Sequence, residues 1–174
     1  MASSDTFTLY KLIILDMLNR VDFPLTNAQI CNFILEKDYT NYFTVQQVLS
    51  EMLEAQLIHG DTMHHTSYYK ITEAGKETLS FFGSQIPDSI RQDILKFFQD
   101  NKYSLKEEVS VLCDYYKEHT DLYMVRCKIL ENGTALIELN LTVPTEEEAS
   151  LLCSNWKKKN KELYPLILAQ LLNG

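Results

Sequence analysis

The chain is short of basic residues, with 16 Lys and Arg against 24 Asp and Glu and a formal net charge of −8 at pH 7. Neutralisation of phosphates supplies most non-specific affinity for nucleic acid, so this balance opposes a protein that coats DNA or RNA by charge alone. The deficit is also local, because residues 1–83 hold five Lys and Arg and ten Asp and Glu, five minus ten giving −5. Any DNA binding by this half is expected to depend only weakly on salt.

Long hydrophobic runs are missing as well. The longest wholly apolar stretches, such as Leu12–Leu15, are only a few residues long. A membrane-spanning helix needs roughly 20 apolar residues. Residues 1–5 lack the basic segment and apolar core with which a secretory signal begins. We therefore expect a cytoplasmic protein with no membrane partner, and the hydrophobic content of 45% predicts a globular core.

No motif in the sequence predicts catalysis or a bound metal. A glycine-rich phosphate loop, a recognisable Ser-His-Asp set and a paired-carboxylate motif are all missing. His59, His64 and His65 lack Cys, Asp or Glu partners at the spacing of a closed metal site. We expect no enzymatic activity, no cofactor and no metal.

The cysteines are few and scattered. None is in a Cys-x-x-Cys pair, and all have apolar sequence neighbours. This pattern predicts buried, reduced thiols rather than zinc ligands or a disulfide framework. The four are Cys31, Cys113, Cys127 and Cys153.

The N-terminal half is predicted to contain helices followed by a hairpin. Apolar spacing predicts a helix at Phe7–Val21 and a second helix, capped by Thr26, at Asn27–Lys37. After a third helix, short extended runs at Leu57–His59 and Tyr68–Ile71 predict a two-stranded wing. Helix, turn, helix and wing in this order are typical of a winged helix-turn-helix domain.

The third helix has the clearest pattern. Its apolar stripe has the i, i+3, i+4, i+7, i+8 spacing of an amphipathic helix, and Thr44 is expected to be its N-cap. After the wing, Thr72 is expected to cap a fourth helix, in which Gly75 permits close packing on the wing. The stripe consists of Val45, Val48, Leu49, Met52 and Leu53.

A connecting segment is predicted between two domains. Pro87 is well placed as the first residue of a helix that continues to Asn101. The polar stretch Asn101–Ser104 then predicts a linker. The expected divisions are a winged helix-turn-helix domain at 1–83, a connecting helix and linker at 84–103, and an α+β domain at 104–174.

The C-terminal domain is predicted to be a sheet covered by a helix. From Glu107 the apolar period changes to two, which predicts three antiparallel strands with one buried face. Thr145–Glu148 predicts a capping box at the start of a long helix, which Pro165 is expected to kink or interrupt. The overall class is therefore α+β. The buried-face residues are expected to be Val109, Val111, Cys113 and Tyr115; Tyr123, Val125, Cys127 and Ile129; and Ala135, Ile137, Leu139, Leu141 and Val143.

The turn at Asn132 and Gly133 determines how the second and third strands pair. A two-residue turn would set the apolar face of one strand against the polar face of the other, whereas a three-residue loop pairs Ile129 with Ala135 and keeps the apolar faces together. We expect the three-residue loop, with Gly133 left-handed in a bulge. Pairing of Leu130 with Ala135 would contradict this expectation.

The segment Leu163–Leu172 is apolar on more than one helical face and therefore needs burial on more than one side. We expect a homodimer through this tail or the adjoining sheet, and burial within the monomer is the alternative. The candidate dimer contacts are Leu163, Ile167, Leu168 and Leu171.

The outer side of the third helix is the candidate DNA-reading surface. Gln can bond bidentately to adenine, hydroxyls can reach base edges or phosphates, and a recognition helix places its first residues in the major groove. The alternative is a module that binds protein, which Glu51 and Glu54 favour because carboxylates repel phosphates. The candidate DNA-binding residues are Asn41, Tyr42, Thr44, Gln46, Gln47, Ser50, His64 and His65.

Two resemblances to known families follow from these segments. Leu57-Ile58 followed by Tyr69–Lys76, a strand ending in Thr-x-x-Gly, resembles the wing-to-helix signature of MarR- and PadR-type winged-helix regulators. The whole chain resembles an uncharacterised family of Gram-positive bacterial proteins, known only as a domain of unknown function, whose members pair an N-terminal winged helix with a small α+β portion. The matching segments include Val21–Asn27, Tyr39–Thr44, Ile86–Arg91, Glu131–Gly133 and Leu141–Glu147.

The family resemblance implies a transcriptional regulator with no established ligand. We therefore expect a cytoplasmic, dimeric, DNA-binding regulator. The alternatives are a protein–protein interaction module with little or no DNA binding, and an enzyme or small-molecule carrier built on the C-terminal layer. The sequence predicts neither an operator nor a small-molecule effector.

Overall fold

A computed structural model describes residues 4–63, 65–119 and 121–173. Over these residues the protein is α+β, as expected, with six α-helices and two three-stranded antiparallel sheets. The chain divides into two compact units, Met1–Leu105 and Lys106–Gly174, which contain one sheet each. Two sheets are thus found where one sheet and a hairpin were expected.

The first unit is built from helices packed against a small sheet. Its core is mostly aliphatic, with Ile13, Leu25 and Ile34 fully buried beside Phe33. The elements are α1 (Ser4–Asn19), β1 (Leu25–Thr26), α2 (Asn27–Glu36), α3 (Tyr42–Glu54), β2 (Ile58–Met63), β3 (Thr66–Ile71), α4 (Glu73–Phe82), a short 3-10 helix (Gly83–Gln85) and α5 (Asp88–Ser110), which includes the boundary between the units.

The strand β1 makes the expected hairpin into a three-stranded sheet with the order β1-β3-β2. Leu25 pairs with Tyr69 and Thr26 with Tyr68. Two residues are too few to show a period of two, so the sequence pattern gave no sign of this strand. Its pairing anchors the segment between α1 and α2 to the hairpin.

Helix caps were predicted correctly at α2 and α4 and wrongly at α3. Thr26 accepts from the amide of Gln29, whose side chain bonds back to the Thr26 amide, so α2 has a full capping box. Thr72 caps α4 by accepting from Gly75. At α3 the cap is Asn41 rather than Thr44, because the Asn41 Oδ1 accepts from the Thr44 amide at 3.0 Å and the helix begins at Tyr42.

Gly75 is required by close packing against the hairpin, as expected. A Cβ built on Gly75 would lie 2.1 Å from the carbonyl oxygen of Leu57, which is backbone and cannot move aside easily. The same carbonyl accepts from the Thr72 amide at 3.2 Å and from its hydroxyl at 2.9 Å. The start of α4 is therefore fixed to the start of β2.

The helix α5 is longer than expected and contains no linker. We expected the helix to end near Asn101 and a connection at Asn101–Ser104, but α5 continues to Ser110. Neither Pro nor Gly occurs within α5, and Leu105 and Val109 extend its buried face. The polar stretch is the exposed side of a helix, so Val109 belongs to α5 and not to a strand.

The second unit is a three-stranded sheet covered by one helix. Val125, Cys127, Ala149 and Trp156 form its buried core, and the Trp156 Nε1 donates to the Lys128 carbonyl at 3.4 Å. The elements are β4 (Val111–His119), β5 (Leu122–Glu131), β6 (Thr134–Val143) and α6 (Glu146–Leu172), with the sheet order β4-β5-β6. Thr145 caps α6 as expected, and α6 continues through Pro165 rather than ending there.

The predicted three-residue loop between β5 and β6 is wrong. Leu130 pairs with Ala135, so Asn132 and Gly133 form a two-residue turn, both with positive φ (51° and 80°). The register then shifts, and Ile129 pairs with Ile137. Leu136 is the extra residue of a bulge, which brings the apolar faces of the two strands back together. The expectation that the apolar faces of the two strands match was correct. The bulge, rather than the length of the turn, produces that match.

Replacement of Gly75 by Ala should destabilise the protein, because the new methyl group would collide with the Leu57 carbonyl. We expect a loss of about 1–3 kcal/mol in the free energy of unfolding, the usual range for overpacking. Urea unfolding followed by circular dichroism measures it. Gly83→Ala is the control, because a Cβ built on Gly83 would lie 3.4 Å from its nearest neighbour, an ordinary contact distance. The φ of Gly83 is −57°, which any residue can adopt. Equal effects of the two substitutions would contradict the packing role of Gly75.

Candidate functional site

The turn between α2 and α3 sets the position of α3 and is held by a carboxylate of α5. Asp93 accepts from the Lys37 ammonium at 2.7 Å and from the Tyr39 hydroxyl at 2.6 Å. The hydrogen bond from Lys37, and to a smaller extent the one from Tyr39, hold the pKa of the Asp93 carboxyl below its usual value. Burial is the larger cause that raises the pKa of the Tyr39 hydroxyl, and the Asp93 carboxylate raises it further. The Tyr10 hydroxyl adds a bond to the Tyr39 carbonyl at 2.8 Å.

The first turn of α3 presents two aromatic rings to solvent. Phe43 is 83% exposed and Tyr42 is 48% exposed, and their rings meet edge to face with centroids 6.1 Å apart. Asn41, beside them, uses its side-chain oxygen to accept from both the amide and the hydroxyl of Thr44. Tyr42 was expected on this surface. Phe43 was missed, although its place outside the apolar stripe that begins at Val45 was a usable signal.

Gln46 does not lie free on the outer surface of α3. Its Nε2 donates to the Asn27 Oδ1 at 2.9 Å and to the Cys31 Sγ at 3.4 Å, so it joins α3 to α2. Burial raises the pKa of the Cys31 thiol, and the bond from Gln46 opposes that rise. Gln46 is half-buried, and the expectation that its amide is free on the outer surface is wrong, because its Nε2 is bonded to two residues of α2.

Gln47 and Ser50 are exposed one turn further along α3, as expected. The Gln47 Nε2 donates to the Glu51 carboxylate at 3.1 Å, and the Lys11 ammonium lies 2.7 Å from the same carboxylate. The bond from Lys11, and to a smaller extent the one from Gln47, hold the pKa of Glu51 below its ordinary value. Lys11 on α1 therefore compensates one of the acids on this helix face. The sequence pattern missed this pair because the two residues are far apart along the chain.

The hairpin contributes one described candidate residue. His65 is exposed at the turn between β2 and β3 with a left-handed φ of 61°. His64 lies outside the described residues. Elsewhere in the hairpin, His59 lies 3.3 Å from Asp61, and both are exposed. Among the described residues, no group of three or more His, Cys, Asp or Glu side chains is arranged to hold a metal ion.

The candidate dimer residues on α6 differ in exposure. Leu163 packs against the core of the second unit and Ile167 is half-buried. Leu168 is 40% exposed and Leu171 is 78% exposed. Two neighbours that were not candidates, Leu166 and Leu172, are also exposed. The last two turns of α6 thus carry an apolar surface that this chain leaves open to solvent.

Comparison with family profiles gives one match. A profile described as a domain of unknown function, DUF4364, matches residues 10–171. The chain belongs to the DUF4364 family. The match includes parts of both compact units and every candidate residue named above.

The membership confirms the expected relation to a family of unknown function. None of the curated proteins compared with this DUF4364 chain matches it. In the ranges that the structure describes, its helices do not combine the length and apolar composition needed to cross a bilayer. A function for this DUF4364 chain must therefore be inferred from the geometry of α3 and of the second unit.

Gln46 and Gln47 should differ in their effect on stability, although both are replaced in the same helix. Gln46→Ala removes bonds to Asn27 and Cys31 and should lower the free energy of unfolding by about 1 kcal/mol. Gln47→Ala removes one exposed contact and should change it by less than about 0.5 kcal/mol. Urea unfolding of both variants measures the difference. A larger loss from Gln47→Ala would contradict the structural role given to Gln46.

Proposed function

We propose that the first unit is a winged helix-turn-helix domain of the MarR and PadR type, and that the protein is a DNA-binding transcriptional regulator. The support is the arrangement of the elements: α1, β1, α2, α3 and a hairpin in that order, with the sheet order β1-β3-β2. In this arrangement α3 is the recognition helix that enters the major groove, and the hairpin is the wing. The arrangement is a likeness of fold, so the chemistry of α3 must supply the specificity.

The exposed N-terminal face of α3 is the observation on which the proposal depends. Gln47 has an amide that can bond bidentately to adenine, and the Ser50 hydroxyl can reach a base edge or a phosphate. The exposed rings of Tyr42 and Phe43 offer apolar contacts for thymine methyl groups. Asn41 is committed to capping, so it positions the face rather than reading DNA.

Charge predicts how this face would bind. No Lys or Arg occurs between Thr40 and Tyr69, and the Lys11 ammonium is paired with Glu51. Contacts with phosphates are then few, so affinity depends mainly on base edges and the salt dependence is shallow. The protein is expected to discriminate between sequences while binding generic DNA poorly.

Selection from a randomised duplex pool, followed by fluorescence titration of the enriched sequence, tests the proposal. The double variant Gln47→Ala and Ser50→Ala should weaken binding to the enriched duplex by roughly 5- to 150-fold, which corresponds to about 1–3 kcal/mol for lost base contacts. The matched control is Ser89→Ala with Gln92→Ala, the same residue types at the same spacing on the exposed side of α5. No enrichment, and no binding to any duplex at low salt, would overturn the proposal.

A protein partner is the second candidate, and the exposed aromatic pair favours it. A ring that is 83% exposed beside another that is 48% exposed is the kind of anchor found at protein interfaces. Glu51→Gln separates the two candidates in the titration above, because it removes one acid and frees Lys11. Tighter binding with a steeper salt slope than the charge-matched control Glu77→Gln supports DNA. Where DNA is not bound at all, a protein partner becomes the better assignment.

We further propose that the protein is a homodimer held by the exposed end of α6. Leu168, Leu171 and their neighbours form an apolar surface beyond the part of α6 that packs on the sheet. Isologous burial of this surface against a second copy would cover it, and a two-fold dimer suits a palindromic operator.

Light scattering of the purified protein tests this assembly. The wild type should have the mass of a dimer, and Leu168→Glu with Leu171→Glu should give a monomer, because charges would be buried at the contact. Leu151→Glu is the control, since Leu151 is on the same helix and is 60% exposed. A monomeric wild type, or a double variant that remains dimeric, would contradict the assignment of this surface.

A further inference from the structure

Two cysteines lie directly opposite each other in the sheet of the second unit. Cys113 on β4 and Cys127 on β5 are paired in the antiparallel register, and their sulfur atoms are 3.3 Å apart. Directly opposed residues have Cα atoms about 4.5–5.5 Å apart. This separation lies within the roughly 4.4–6.8 Å that a disulfide spans, so a bond needs rotation of the side chains and no movement of the strands.

The two cysteines of the pair have different surroundings. Cys113 is half-buried and Cys127 is buried, and Cys153 on α6 is close enough to Cys113 to share a hydrogen bond with it. The bond from Cys113 lowers the pKa of the Cys127 thiol, whereas the same bond, and then burial, raise the pKa of the Cys113 thiol. The thiolate is the nucleophilic form of cysteine, so Cys127 is the sulfur of the pair that is prepared to attack a peroxide.

We propose that Cys113 and Cys127 are a redox-active dithiol that hydrogen peroxide converts into a cross-strand disulfide. The sulfur of Cys127 attacks one peroxide oxygen; the O–O bond breaks, and a sulfenic acid and one water form. The sulfur of Cys113 then attacks the Cys127 sulfur, and the hydroxyl of the sulfenic acid leaves as a second water. The two thiols lose two electrons and two protons, and the peroxide is reduced to two waters.

Other roles for these sulfur atoms fit the geometry less well. The three cysteines are not part of any group in the described residues that is arranged to hold a metal ion. Cys153 is held by a helix, whereas the hydrogen-bond ladder of β4 and β5 fixes Cys113 and Cys127 opposite each other. Cys31 is buried in the first unit. The strand pair is therefore the one in which bond formation needs the least rearrangement.

Mapping of disulfides in the full wild-type chain tests the inference without any variant. The reduced protein is treated with hydrogen peroxide, free thiols are alkylated after unfolding, and unreduced tryptic peptides are identified by mass spectrometry. Cleavage after Lys117 and Arg126 separates the two cysteines. Two of the four thiols should escape alkylation, in one linked species that joins the Cys113 and Cys127 peptides, and dithiothreitol should reverse the link.

Variants assign the link and exclude artefacts. Cys113→Ser and Cys127→Ser should each abolish it, whereas Cys31→Ser and Cys153→Ser should leave it unchanged. Circular dichroism checks that each variant is folded. If Cys127→Ser does not fold, the disulfide map of the wild type decides whether Cys113 and Cys127 are linked. Four alkylated thiols after peroxide treatment, a link through Cys153, or a link between two chains would each overturn the proposal.

Discussion

The carboxylate of Asp93 is the polar contact that fixes the turn before the candidate helix α3. It receives the Lys37 ammonium and the Tyr39 hydroxyl, and so attaches the turn between α2 and α3 to α5. The direction in which α3 leaves that turn decides which of its side chains reach solvent. Because α5 continues past Leu105 to Ser110, the helix that holds the turn is also the covalent connection to the second unit.

Local signals in the sequence predicted local structure well. Thr26, Thr72 and Thr145 cap helices as expected, because a cap depends on a side chain and an amide three residues apart. Some local predictions also failed, at the cap of α3, the end of α5 and the turn before β6, but the errors at the candidate surface concern contacts between distant residues. Gln46 has the spacing of an outward residue, yet Asn27 on another helix satisfies its amide. The pairing of Lys11 with Glu51 is invisible to periodicity for the same reason, so the position of the candidate surface was predictable and its charge was not.

The candidate surface of α3 combines exposed aromatic rings with a compensated acid. Its first turn exposes Tyr42 and Phe43, and the acid at Glu51 is compensated from α1. A face of this kind gains little from long-range attraction to phosphates and must recognise its target by close contact. Without electrostatic steering such contact is slower to form, so the proposed DNA-binding role fits recognition of few sites better than scanning along DNA.

The bulge at Leu136 also shows how two demands on one hairpin are reconciled. Asn132 and Gly133 favour a tight turn, the apolar faces must match, and one extra residue satisfies both. The sheet order β4-β5-β6 leaves the outer side of β6 without a neighbouring strand in the described sheet. An irregular residue near the beginning of that border interrupts the even spacing of its free amides and carbonyls. A foreign extended chain therefore finds a regular template only along residues 137–143, which shortens the length over which it could add to this border.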